Sequence, residues 1–217
     1  MLGIIFTGGD GPDARVVKQL FDTGVDLKNT LFFAADSGLI TAENAGIKPA
    51  WIIGDMDSLD DTLRLTAYPP ERIIRLQHEK DYTDTEVALS LAIEKKCDQI
   101  WIIGGGGGRI DHLFGIRSLF ERDIFPVRWI TDTSDIYCIN CNSALSELSL
   151  SRKKGTVVSV FPLGEGQWEA ESIGLKWPLA GLPWNRGFFG LSNTTINESF
   201  FIKANKGRFM VILPGLV

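Results

Sequence analysis

The chain has 217 residues, 44% of them hydrophobic and 23% charged, with a formal net charge of −5. Those are the proportions of an ordinary globular protein, long enough to bury a core without disulfide or metal staples. The acidity argues against a nucleic-acid or anionic-membrane partner, since either favours a basic surface.

The opening segment Met1–Phe6 lacks a basic leader and a long apolar stretch, so it does not read as a signal peptide, and no run approaches the length of a membrane span. A cytoplasmic location is the expectation. Short continuous apolar runs predict strands at Leu2–Phe6, Leu31–Ala35, Trp51–Ile53, Arg72–Leu76, Ile100–Ile103 and Val127–Ile130. Amphipathic stretches between them predict helices near Asp13–Thr23, Gly38–Ala45, Asp60–Ala67, Thr85–Lys96 and His112–Arg122. This alternation predicts an α/β fold with a mainly parallel sheet flanked by helices. From about Tyr137 the helical period vanishes. Strand-like runs follow at Thr156–Phe161, Gly187–Gly190, Ser199–Lys203 and Arg208–Leu213, punctuated by Gly and Pro, which predicts an antiparallel β-sandwich. The expected division is an α/β domain over residues 1–140 and a β-sandwich domain over 141–217, with the boundary near Asn140–Arg152. Of the three cysteines, Cys138 and Cys141 spell C-x-x-C, but in a strand-like stretch with no second pair and no nearby histidine, so a structural reading is preferred.

Ligands of open parallel sheets bind outside the carboxyl ends of the strands, so the residues just after each strand are the candidates. Asp55 and Asp57 follow the third strand two positions apart. In extended chain they face the same side, where their mutual repulsion favours a hard cation such as Mg²⁺ together with substrate phosphates. Asp36 follows the second strand. Lys80, Asp81, Thr83 and Asp84 follow the fourth, and Thr83 with Glu86 fits a capping box. Asp84 is favoured as a metal or phosphate carboxylate. Gly104–Gly108 follow the fifth strand, and their backbone N–H groups suit phosphate oxygens. Arg109 adds bidentate phosphate recognition. Asp111 fits three roles: a helix cap, a support for Arg109, or a metal ligand. His112 reads as a packing or capping residue, and Gly8-Gly9 as either a nucleotide approach or a tight turn. In the second domain, Trp177 beside Pro178 and the polar pair Ser192-Asn193 suit a flat heteroaromatic ligand. On residue chemistry alone, core packing and a turn explain them better.

Taken in order, these segments resemble the thiamine pyrophosphokinase family: Ala35-Asp36-Ser37-Gly38, Gly46-Ile47-Lys48-Pro49, Ile52 to Ser58, Glu79 to Thr85, Gly104 to His112, Gly174 to Leu179, and Leu191-Ser192-Asn193. The resemblance spans Asp36 to Leu213. It implies transfer of a pyrophosphoryl group from ATP to thiamine with release of AMP, a Mg²⁺ requirement, and a homodimer whose sites lie between subunits. It also implies roles by motif position: Asp55, Asp57 and Asp84 as metal carboxylates, with Arg109 and Asp111 beside them in catalysis. Asp36, Lys80, Asp81, Thr83, Gly107, Gly108 and Arg109 become nucleotide contacts, and Trp177, Ser192 and Asn193 thiamine contacts. Two departures stand out: the family usually has Gly at the position of Ser37 and Asp at that of Ala50. One rival is a pyrophosphokinase of the same fold acting on another heterocyclic alcohol, such as a pterin. The other is a non-catalytic thiamine or nucleotide sensor. The Trp177 and Ser192-Asn193 set argues against the first, and the retained carboxylates against the second.

Overall fold

The first strand, β1 (Leu2–Thr7), is buried from Gly3 through Thr7, as a strand covered on both faces must be. The computed structural model describes residues 1–56, 62–77 and 81–216. Around β1 the chain lays down α1 (Ala14–Gly24), β2 (Thr30–Ala35), α2 (Gly38–Asn44), β3 (Trp51–Gly54), β4 (Ile73–Arg75), α3 (Asp84–Glu94), β5 (Gln99–Gly104), α4 (Ile110–Leu119) and β6 (Arg128–Ile130). The six strands run parallel in the order β6-β5-β1-β2-β3-β4. From β1 the chain builds outward on one side through β4. It then crosses back to place β5 on the other side of β1. That reversal makes the carboxyl ends of β1 and β5 a topological switch point.

Local chemistry sets the helix starts. Asp13 caps α1 by accepting from the Arg15 N–H at 2.8 Å. Val17 and Phe21 of α1 are buried, the Phe21 ring standing edge-on to Phe6 with centroids 6.5 Å apart. α3 opens with the expected capping box: the Thr83 N–H donates to Glu86 at 2.8 Å and the Glu86 N–H donates to the Thr83 hydroxyl at 3.2 Å. Arg122 also donates to the Glu86 carboxylate. Burial alone would raise the Glu86 carboxyl, but the bonds from Thr83 and the Arg122 guanidinium outweigh it and hold it below its ordinary value. A carboxyl lowered by folding contributes stability above its unfolded value, and that stability is lost as pH falls through the lower folded value. Glu86→Gln is therefore expected to melt below the parent at pH 7. The gap should narrow and close as pH falls below the ordinary glutamate range, in thermal unfolding followed across pH.

The helix expected at Asp60–Ala67 is not an α-helix where it is described. Thr62–Ala67 forms a 3₁₀ helix, in which the Thr66 hydroxyl bonds back to the Leu63 carbonyl at 2.6 Å. Residues 57–61 lie outside the described set.

The chain divides into two units, Met1–Thr133 with Leu216, and Ser134–Gly215. The second is all β. It comprises β7 (Ser134–Asn140), β8 (Glu147–Ser151), β9 (Val157–Leu163), β10 (Glu169–Ile173), β11 (Gly190–Thr194), β12 (Ser199–Lys206) and β13 (Arg208–Pro214). Strands β11-β9-β13-β7 pair antiparallel, and β10-β12-β8 form a separate antiparallel sheet. Ile139, Val158, Val160, Phe209 and Val211 from the first sheet share a core with Leu148, Ala170, Phe200 and Ile202 from the second. This is the sandwich the pattern predicted.

Two details differ from expectation. The strand read at Gly187–Gly190 begins only at Gly190 and runs to Thr194. Gly187, at φ +87°, turns the chain, and the Phe188 N–H closes that turn on the Asn185 carbonyl at 3.0 Å. The stretch Asn140–Arg152 contains β8, whose Leu148 is core. Cys138 is buried in β7, and burial pushes its thiol up to about 12. Cys141 is half-buried, and among the described residues no metal-ligating group of three or more includes either thiol.

Candidate active site

Three carboxylates converge at the carboxyl edge of the parallel sheet. Asp36 stands one residue past β2, Asp55 one residue past β3, and Asp84 begins α3. One oxygen from each lies within 4.8 Å of the others. The sheet order makes this possible, because β2 and β3 are neighbours and α3 packs against both strands. Asp36 was grouped with the nucleotide contacts in the sequence, and the geometry places it with the metal-type carboxylates. Asp57 and Lys80 lie outside the described residues.

The backbone here is held in unusual conformations. Asp36 has φ +51° and Met56 φ +67°, two of four non-glycine residues with positive φ among those described. Side chains disfavour that region, and such strain concentrates at functional sites. Asp36 is anchored by its N–H on the Ile53 carbonyl at 2.8 Å. Met56 buries its side chain among Ala34, Leu39, Ile52 and Leu65. Met56 is left-handed where the alternation argument for Asp55 and Asp57 assumes extended chain, and Asp57 itself is outside the described residues.

Beside the carboxylates lies a cleft of about 560 Å³, bounded by Thr7, Gly8, Gly9, Asp36, Asp84, the Gly105–Gly108 loop, Arg109 and Asp111. It sits at the switch point. The glycine loop is pinned there by reciprocal bonds between Asp10 and Gly106, each N–H donating to the other's carbonyl at 2.8 Å. Gly107 has φ +63°, the left-handed region that favours glycine, and a Cβ there would lie 1.9 Å from Asp10 Oδ2, so any larger residue would have to displace the Asp10 carboxylate. A groove of similar volume in the second unit, lined by Trp168, Trp184, Arg186 and Lys206, has no such carboxylate set among the described residues.

Arg109 and Asp111 form a two-pronged ion pair, Nε to Oδ1 at 3.1 Å and Nη2 to Oδ2 at 2.5 Å. Of the three roles open to Asp111, the structure shows support of Arg109. The bonds from Arg109 lower the Asp111 carboxyl, and the same bonds raise the guanidinium. The His112 N–H donates to the Arg109 carbonyl at 3.1 Å in the first turn of α4, and His112 also lines the cleft. Thr83 spends its hydroxyl on the capping box, and Asp81 is exposed just before it.

Sequence reading passed over Thr7. Its hydroxyl meets that of Thr85 at 2.6 Å, both residues are buried, and both line the cleft. The pair ties the first turn of α3, which carries Asp84, to the end of β1. Position at a strand end was the available signal.

The two departures are absorbed. Ser37 has φ −61° and ψ −9°, a conformation any residue adopts. Ala50 precedes β3, at the end of the strand opposite Asp55. The four residues of β3 lie between the two, and five steps at about 3.3 Å each put them roughly 16 Å apart, too far for an acidic residue at position 50 to reach the cluster.

In the second unit Trp177 is 53% exposed with the Lys176 ammonium 4.5 Å from its ring centre. Ser192 is exposed with φ +57°. Asn193 is buried, and its amide bonds to the backbone of Trp177 and Thr194.

The α/β unit thus falls in the class of open parallel sheets with a ligand cleft at the switch point. Comparison with known proteins is specific beyond that. The family described as thiamin pyrophosphokinase, catalytic domain, matches residues 26–124, and thiamin pyrophosphokinase, vitamin B1 binding domain, matches residues 145–209. A thiamine pyrophosphokinase of Bacillus subtilis (strain 168) is 31% identical over 161 residues, covering 72% of this chain and 74% of that one. The crystal structure of thiamin pyrophosphokinase from Geobacillus thermodenitrificans aligns over 100% of this chain and 98% of its own, with TM-score 0.73 and 27% identity. That of the Bacillus subtilis enzyme aligns over 100% and 99%, with TM-score 0.74 and 26% identity. The chain belongs to the thiamine pyrophosphokinase family.

Proposed function

We propose that this enzyme binds ATP in the cleft of its α/β unit and transfers the terminal pyrophosphoryl group to thiamine. The hydroxyethyl oxygen of thiamine attacks the β-phosphorus, and its proton is released to a nearby base or solvent. The bond from that phosphorus to the α,β-bridging oxygen breaks, and AMP departs with the bridging oxygen. The observation that carries this reading is the convergence of Asp36, Asp55 and Asp84 within 4.8 Å beside a glycine-lined cleft. Three carboxylate oxygens so close repel one another unless a cation joins them. Their hard oxygen chemistry fits Mg²⁺, which Asp55 and Asp84 would hold with Asp36, and with Asp57 by its motif position. Bound there, it would supply neutralisation of charge on the phosphate oxygens.

The chain's own groups do the positioning on which phosphoryl-type transfer depends. Backbone N–H groups at Gly107 and Gly108 face phosphate oxygens. Arg109, steadied by Asp111, meets the polyphosphate from the mouth of the cleft. Lys80, Asp81 and Thr83 complete the nucleotide contacts. Trp177 of the second unit stacks on the pyrimidine of thiamine and Ser192 meets it, and the match to a vitamin B1 binding domain supports thiamine over a pterin.

The same reading takes the protein as a cytoplasmic homodimer with no nucleic-acid partner, its sites drawing on both subunits. Exposed apolar side chains at Trp177, Phe189 and Leu191 support the association. The net charge of −5 speaks against nucleic acid. No helix among the described residues is long and apolar enough to cross a membrane.

The test is an end-point assay for thiamine diphosphate and AMP, with and without Mg²⁺, using thiamine and a hydroxymethylpterin as alternative acceptors. Equimolar AMP and thiamine diphosphate, formed only with the metal, is the expected result. AMP formed with the pterin and not with thiamine would reject it.

A further inference from the structure

Strand β11 is irregular where the thiamine contacts were expected. Its pairing with β9 shifts register between Gly190 and Asn193. Ser192, inside that shift, has φ +57° and donates its N–H to the Ser159 hydroxyl at 3.2 Å. A bulge of this kind re-aims the next side chain. Here it turns Asn193 inward, to 6% exposure.

The buried amide is committed to the backbone of the Trp177 segment. Asn193 Oδ1 accepts from the Trp177 N–H at 3.1 Å and from the Thr194 N–H at 2.9 Å, and Nδ2 donates to the Trp177 carbonyl at 2.6 Å. Both lone pairs of the amide oxygen and one of the two Nδ2 N–H groups are therefore used, and both backbone polar groups of Trp177 are held by one side chain that is itself almost wholly buried. Flanking bonds extend the clamp: Lys176 N–H to the Thr194 carbonyl at 2.8 Å, and Ile196 N–H to the Gly174 carbonyl at 2.9 Å. The indole at the tip of this fixed segment stays 53% exposed. The Lys176 ammonium sits 4.5 Å from its centre.

We propose that Asn193 is a positioning residue for Trp177 and does not itself bind thiamine. The bulge at Ser192 exists to seat its amide under the Trp177 backbone, presenting the indole as a preorganised stacking surface. This rests on the reading that Trp177 stacks on thiamine. It replaces the direct contact that motif position implied for Asn193.

The test is a double-variant cycle on the full-length enzyme, with the indole ¹H–¹⁵N resonance of Trp177 as a second readout. Asn193→Ala is expected to raise the KM for thiamine about tenfold, leave the KM for ATP unchanged, and shift the Trp177 resonance. In a Trp177→Ala background the same change adds less than about twofold, because its effect runs through the missing ring. Asn193→Ser removes the Nδ2 donor, keeps a small polar side chain without adding a charge and falls between, which preserves the test if the alanine variant does not fold. Additive effects on KM, or an unmoved resonance, would overturn the proposal. An unchanged thiamine KM in Trp177→Ala alone would instead overturn the stacking reading. It is told apart because the resonance still moves in Asn193→Ala.

Discussion

Asp55→Asn is expected to lower turnover by about 10³-fold while the protein stays folded. The substitution keeps the shape of the side chain and removes one negative charge from a trio whose oxygens lie within 4.8 Å. A divalent ion polarising phosphate oxygens is worth several kcal/mol of transition-state stabilisation, and about 1.4 kcal/mol is a factor of ten. The Mg²⁺ concentration for half-maximal activity should rise together with the fall in turnover. The KM for thiamine should change little, since thiamine is assigned to the other unit. Without metal the variant should melt no lower than the parent, because the trio loses a mutual repulsion on neutralisation. Steady-state AMP release across a Mg²⁺ titration, paired with thermal unfolding in chelator, reads both effects. Full turnover at an unchanged Mg²⁺ requirement would remove Asp55 from the site.

The parallel unit was legible because its signals are local. The run Leu2–Phe6 reads as a strand from its apolar side chains alone, and β1 ends one residue later at Thr7. Thr83 and Glu86 announce the start of α3 within four residues, and their reciprocal bonds are present. Strands β8 and β10 were not legible. Each alternates a buried residue with polar ones, Leu148 between Glu147 and Ser149, and Ala170 between Glu169 and Glu171. Their partner β12 lies about fifty residues from β8, so nothing nearby in sequence marks the pairing.

The site divides along the same line. That Asp36, Asp55 and Asp84 share an edge follows from reading residues off strand ends, a rule of topology. That they meet at one point depends on β2 lying beside β3, which no spacing encodes. The argument from alternation joined Asp55 to Asp57 through an extended Met56, and Met56 is left-handed. Motif position likewise named Asn193 without revealing that its amide holds the backbone of Trp177. Residues at functional sites break local rules, and local rules are what a sequence displays.

Gly38→Ala is expected to cost both stability and activity, the latter by about 10²-fold. α2 begins at Gly38, directly over the end of β1. A Cβ there would lie 2.3 Å from the Phe6 carbonyl oxygen, 2.4 Å from the Phe6 carbonyl carbon and 2.6 Å from the Thr7 nitrogen. All three atoms are backbone of the central, buried strand, so no side chain can swing aside. The helix must retreat by roughly an ångström, and overpacking of this kind costs about 1–3 kcal/mol. Asp36 stands two residues before Gly38, and the Leu39 N–H bonds to the Asp36 carbonyl at 3.1 Å, so the retreat carries the carboxylate with it. A misplacement of about 1 Å at a catalytic constellation costs about 10²-fold. Gly24→Ala is the control. That glycine ends α1, and a Cβ there meets nothing within 4 Å, so its variant should melt at or slightly above the parent and turn over as the parent does. Thermal unfolding and AMP release measured on both variants separate the cost of the close approach from the cost of replacing a glycine. An alanine at 38 that matches the Gly24 control in both would show that α2 does not need to ride so near β1 to place Asp36.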